Sequence, residues 1–110
     1  MITPDLIEQA AKRIQAVVRQ TPIITLESGA FGAPGQLTLK LELLQHTGSF
    51  KARGAFNRLL SADVPAAGVV AASGGNHGAA VAYAAQQLGY PAAIFVPQIT
   101  PMVKVQRLRD

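Results

Sequence analysis

The sequence predicts an α/β fold, and three observations predict it. Apolar residues recur with a helical period after Thr3-Pro4 and with a period of two from Leu37 to Leu43. A short apolar run, Gly68-Val69-Val70-Ala71-Ala72, is followed by a small-residue loop, an alanine-rich stretch and a second apolar run. Strand, loop, helix and strand in that order form a βαβ unit, expected to be right-handed with parallel strands.

Taken in order, Thr3 reads as an N-cap with Pro4 at the first helical position. Leu6, Ile7, Ala10, Ile14, Val17 and Val18 share one face, and Glu8, Lys12, Arg13 and Arg19 the other. This helix is expected to end near Gln20, because Thr21 precedes Pro22 and a residue before proline avoids the helical region. Residues 28–36 are rich in Gly and read as a loop. Leu37, Leu39, Leu41 and Leu43 alternate with Thr38, Lys40 and Glu42, the pattern of a strand with one buried face. A helix is expected over 49–60, with Phe56, Leu59 and Leu60 inward.

Residues 61–67 form a connection and the best boundary between two lobes. The strand at 68–72 is apolar throughout and is expected to be buried on both faces. Ser73 to Gly78 is a loop, His77 to Leu88 a helix stopped by Gly89, and Ala92 to Val96 another strand. Thr100-Pro101 opens a last helix, with Met102, Val105 and Leu108 at apolar spacing. One βαβ unit cannot cover a fully apolar strand on both faces. The chain therefore reads as a fragment of a longer protein.

Composition narrows the function classes. In 110 residues, 49% are hydrophobic and 15% charged, a balance that builds a core rather than a disordered chain. There is no cysteine, hence no disulfide framework and no thiolate metal site, which fits a cytoplasmic protein. The N-terminus has neither the basic nor the apolar region of a signal peptide, and no run reaches membrane-spanning length. The net charge of +4 comes from scattered Lys and Arg, with four Phe and two Tyr available to stack bases. Neither nucleic acid nor a membrane is an expected partner.

Two stretches carry chemistry. In Thr47-Gly48-Ser49-Phe50-Lys51-Ala52-Arg53-Gly54, Lys51 stands just inside a helix start. A lysine becomes nucleophilic through desolvation, a neighbouring cation or a helix N-terminus, and Phe50, Arg53 and the helix offer all three. Local spacing alone also fits an ordinary surface lysine in a first turn. The second stretch, Ser73-Gly74-Gly75-Asn76-His77-Gly78, joins a strand to a helix. It suits a carboxylate or phosphate at the carboxyl end of a parallel strand, or is simply a tight turn. It is neither a dinucleotide fingerprint nor a P-loop. Asn76 either donates to a ligand oxygen or caps the helix. His46 and His77 lack the companions of a zinc site, and Ser73 with His77 lacks the acidic orienter and elbow of a nucleophile–base pair.

Together, the run from Lys40 to Ala55 and the run Ala72-Ser73-Gly74-Gly75-Asn76-His77-Gly78 resemble the threonine/serine dehydratase and serine racemase branch of the fold-type II pyridoxal-phosphate enzymes. Thr21-Pro22, Ala82-Tyr83-Ala84-Ala85 and Pro97 through Pro101 to Lys104 fit the same pattern. The resemblance implies the three-layer, parallel-sheet fold of tryptophan-synthase-β-like enzymes, incomplete in this chain. Residues 1–60 would begin the large lobe and 61–110 the small one.

It also implies pyridoxal 5′-phosphate as cofactor. Lys51 would carry it through a Schiff base, Phe50 would pack near its ring and Asn76 would bond its 3′-oxygen. Ser73, Gly74, Gly75, Asn76 and His77 would grip the carboxylate of a small amino-acid substrate. No metal is implied by residues in this chain. The implied reaction is β-elimination from L-threonine or L-serine in a cytoplasmic homodimer. Related sulfur-transfer synthases have Lys-Asp-Arg where Lys51-Ala52-Arg53 stands, and racemases of this branch carry a serine where Gly74 stands. Both differences favour the lyase over a racemase or a β-replacing synthase. The phosphate-cradling loop and the partner of the pyridine nitrogen are expected beyond residue 110. The 110 residues alone are therefore expected neither to hold the cofactor tightly nor to turn over. An inactive remnant kept as a binding module is the reading from another class.

Overall fold

The computed structural model describes residues 1–109. Helix α1 spans Pro4–Ile14, strand β1 Ile23–Leu26, strand β2 Leu37–Lys40 and helix α2 Lys51–Leu60. Strand β3 spans Val69–Ala72, helix α3 Asn76–Leu88, strand β4 Ala92–Phe95 and helix α4 Met102–Arg109. No helix among the described residues is long and apolar enough to cross a membrane.

The strands form two separate pairs. β1 and β2 run antiparallel, with Ile23 opposite Lys40 and Leu26 opposite Leu37. β3 and β4 run parallel, with Val69 beside Ala92 and Ala72 beside Phe95, so the expected βαβ unit is present around α3. No sequence pattern marks an element over 23–26. Those four residues, Ile-Ile-Thr-Leu, carry no alternation, and three of them are exposed.

The core lies where α1, α2 and α3 meet. Ile14, Ala55, Phe56, Leu59, Ala80, Ala84 and Ala85 are buried there, and Val17, Val18, Val69 and Tyr83 pack against them. Phe56 is 1% exposed, and its ring meets the edge of Tyr83 at 90° with centroids 6.0 Å apart. The alanine face of α3 explains the closeness of α2, since small side chains let the larger Phe56 and Leu59 fill the space between two helices. Gly78 belongs to the same economy of space. A Cβ there would lie 2.1 Å from the Ser73 carbonyl oxygen, so α3 reaches its strand only with a glycine at that place.

Several expected features take another form. α1 begins as read, with Thr3 Oγ1 accepting the Leu6 N–H at 3.4 Å, but it stops at Ile14 rather than near Gln20. Val17 and Val18 both donate their N–H to the Ile14 carbonyl, at 3.0 and 3.2 Å, and close the chain into a turn. That turn delivers both valines to the core, so packing overrides the helical spacing. β2 keeps its alternation only to Lys40. Beyond it Glu42–Leu44 tightens into a 3₁₀ turn, which leaves Leu43 and Leu44 exposed. α2 starts at Lys51, and Leu60 at its far end is 39% exposed rather than inward. In β3 only Ala71 is buried, and Val70 is 70% exposed, because a single strand and a single helix cover one side of it.

Candidate active site

Lys51 is the first residue of α2. Its N–H points to Ser49 Oγ at 3.4 Å, and Ser49 is buried beneath it. Its side chain is exposed, with Nζ 5.0 Å from the centroid of the Phe50 ring. A cleft of about 290 Å³ opens beside it, where Phe50, Lys51 and His77 meet an apolar floor of Ala55, Leu59 and Val81. The structure thus brings Lys51, Phe50 and His77 together across the α2–α3 contact.

Arg53 does not serve as the free neighbouring cation that the sequence suggested. Its guanidinium turns away to Glu42, with Nε 2.8 Å from Oε2 and Nη2 2.8 Å from Oε1. Thr21 Oγ1 donates to the same carboxylate at 2.5 Å. These contacts hold the Glu42 carboxyl down to about 2, the Arg53 hydrogen bond first among the causes, while the carboxylate in turn raises Arg53. Gln45, 2% exposed, completes the support: its Oε1 accepts from the N–H of Arg19 and of His46 at 2.9 and 3.0 Å, and its Nε2 donates to the Arg19 carbonyl at 2.9 Å. Sequence reading missed Glu42 and Gln45 as supports. The only signal was their presence in the run from Lys40 to Ala55.

His46, also between β2 and α2, stacks on Tyr83 of α3 with centroids 4.9 Å apart at 26°. Its Nδ1 lies 3.0 Å from Tyr83 Oη. Burial, and then the charge of Arg19, hold its imidazole below the usual 6.5.

The second loop leaves β3 with Ser73 N–H donating to the Phe95 carbonyl at 2.9 Å. Ser73 Oγ accepts the Gly75 N–H at 3.2 Å. Gly75, not Asn76, is the N-cap of α3, and no side chain caps the helix. The Asn76 amide is therefore not spent on capping, and the end of α3 is suited to an anion. Gly74, Gly75 and Asn76 line a second cleft of about 170 Å³, together with Lys104 and Arg107. His77 faces the Lys51 cleft and Asn76 this one, and Ser73 lines neither. At Gly74 a Cβ would stand 2.7 Å from Thr100 Oγ1 and 2.9 Å from its Cγ2.

Comparison with known proteins assigns the family. The family model described as pyridoxal-phosphate dependent enzyme matches residues 14–110. The chain belongs to that family. An L-threonine ammonia-lyase of Thermotoga maritima is 42% identical over all of this chain and 28% of that protein. A serine racemase of Arabidopsis thaliana is 43% identical over 93% of this chain and 31% of that protein. Among solved structures, a pyridoxal 5′-phosphate-dependent aspartate racemase superposes with a TM-score of 0.82 at 38% identity, covering 98% of this chain and 35% of the other. The chain thus spans about a third of the length of the relatives it matches.

The family's cofactor is pyridoxal 5′-phosphate, and Lys51 with Phe50 fits its aldehyde side. Lys51 offers a primary amine that takes part in no ion pair among the described residues. Phe50 supplies an aromatic face beside that amine, while Asn76, with an amide that does not cap α3, lines the other cleft.

Proposed function

We propose that the protein containing this chain eliminates the β-hydroxyl of L-threonine or L-serine, releasing a 2-oxo acid and ammonia. In this reading Lys51 holds the cofactor with Phe50 and Asn76, and Ser73 to His77 receive the substrate carboxylate. Residues 1–60 belong to the large lobe and 61–110 to the small one.

The observation that carries the lyase reading is the packing at Gly74. Racemisation needs a proton carrier on each face of the α-carbon, whereas elimination needs one base and a leaving hydroxyl. Lys51 serves one face. At position 74, where the racemases of this branch are expected to place a serine, there is no side chain, and Thr100 fills the space that one would take. Racemisation remains the second reading, favoured by the similarity to the Arabidopsis serine racemase and the aspartate racemase.

When bound, pyridoxal phosphate supplies an electron sink that makes the α-hydrogen of an amino acid acidic. The chain's own residues do the rest. The N-terminal end of α3 orients the substrate carboxylate through backbone N–H groups. Lys51 Nζ takes the α-proton as general base. Ala55, Leu59 and Val81 line the cleft beside that amine.

Incubating the full-length protein with L-serine and L-threonine tests this. Release of 2-oxo acid, followed through a coupled dehydrogenase, is expected with one or both. Formation of D-serine by chiral chromatography, without 2-oxo acid, overturns the reading in favour of racemisation.

A further inference from the structure

The turn that delivers Lys51 is held from outside its own segment. Thr47 has φ 61 and Gly48 φ 72, so two consecutive residues are left-handed just ahead of α2. Glycine adopts this conformation freely, but a β-branched threonine does so only when its surroundings hold it there. Thr47 Oγ1 is buried with no hydrogen-bond partner among the described residues, so its own side chain does not compensate. Within the segment the Gly48 N–H, 2.9 Å from the Gln45 carbonyl, closes the turn. His46 is tied to Tyr83 of α3, and the Thr47 carbonyl itself is held from α4, where Arg107 Nη2 donates to it. The guanidinium lies alongside Gly48, where an ideal Cβ would stand in ordinary contact with it at 3.6 Å.

We infer that Arg107 is a positioning residue for Lys51, fastening the strained Thr47–Gly48 turn to α4. The inference rests on the reading of Lys51 as the reactive amine. Arg107 also lines the cleft of Gly74, Gly75 and Asn76, so one guanidinium touches the turn before Lys51 and borders the second loop. A ligand seated in that cleft would meet the same side chain that fixes the approach to Lys51.

Hydrogen exchange in the full-length protein tests this without turnover. In Arg107→Gln, exchange of the Gly48 amide and its neighbours through Lys51 is expected to rise about tenfold, the loss of one charge-assisted hydrogen bond, with the α1–α2 core unchanged. Arg107→Lys keeps a cationic donor and is expected to keep the protection. Unchanged exchange at 48–51 in Arg107→Gln overturns the proposal. Should that variant loosen the whole fold, loss of local protection in a well-folded Arg107→Lys overturns it instead, and retention supports it. Failure of the elimination assay alone would strike the functional reading and leave this result standing.

Discussion

Arg53 grips Glu42 with two nitrogens, each 2.8 Å from a different carboxylate oxygen. The fork-to-fork geometry ties the first turn of α2 to the segment that follows β2. Glu42 ionises at about 2 in the fold, against 4.5 when free. A depressed carboxyl stabilises the fold above its free value. Its contribution is therefore complete above pH 4.5 and lost as pH falls toward about 2. The side chains are 15% and 30% exposed, so screening reduces the effect to the order of 1–2 kcal/mol. Chemical denaturation across this acid range is expected to show that loss, and Glu42→Gln to flatten it while lowering stability at neutral pH.

His46 titrates with the same sign at higher pH. Burial keeps the folded imidazole neutral to lower pH than the free one, so the unfolded chain takes up the proton first. Stability is expected to decline as pH drops below 6.5 and to level off beneath the folded value. Replacing His46 with Gln should remove this part of the pH dependence. A slope that persists unchanged in the variant would assign it elsewhere.

Gly78→Ala places a methyl 2.1 Å from the Ser73 oxygen. The helix or the loop must shift, at a cost of roughly 1–3 kcal/mol. A lowered melting temperature with weaker cofactor binding in the full-length protein is the expected pair of readings.

Phe56→Ala empties the centre of the three-helix core. About 3–5 kcal/mol is expected to be lost, measurable as a lowered denaturation midpoint. A core of small alanines has little else to refill the space.

Lys51→Ala separates chemistry from folding. The side chain is exposed, so stability should stay within about 0.5 kcal/mol of the parent. Borohydride reduction in the presence of pyridoxal phosphate should add cofactor mass at Lys51 in the full-length parent and not in the variant. Equal labelling of both proteins would remove Lys51 from the site.

Much of this was legible because it is local. The Thr3-Pro4 start, the stop at Gly89, the βαβ order and the small-residue loop each depend on neighbours in sequence. Leu60 and Val70 were misplaced because periodicity names the apolar residues without saying which side of an element finds a partner. β1 was missed because its pairing with β2, rather than any pattern within it, makes it a strand.

The element order of the βαβ unit and the two runs around Lys51 and Asn76 can be read from residue order alone. That Arg53 pairs with Glu42, and that Thr100 closes the space at Gly74, emerges from the packed fold. So does the hydrogen bond from Arg107 to the Thr47 carbonyl. The difference is one of range. Helix periods and caps act over a few residues and leave a trace in the chain order. An ion pair, a steric exclusion or a carbonyl held from a distant helix depends on where the packed core brings remote segments to rest.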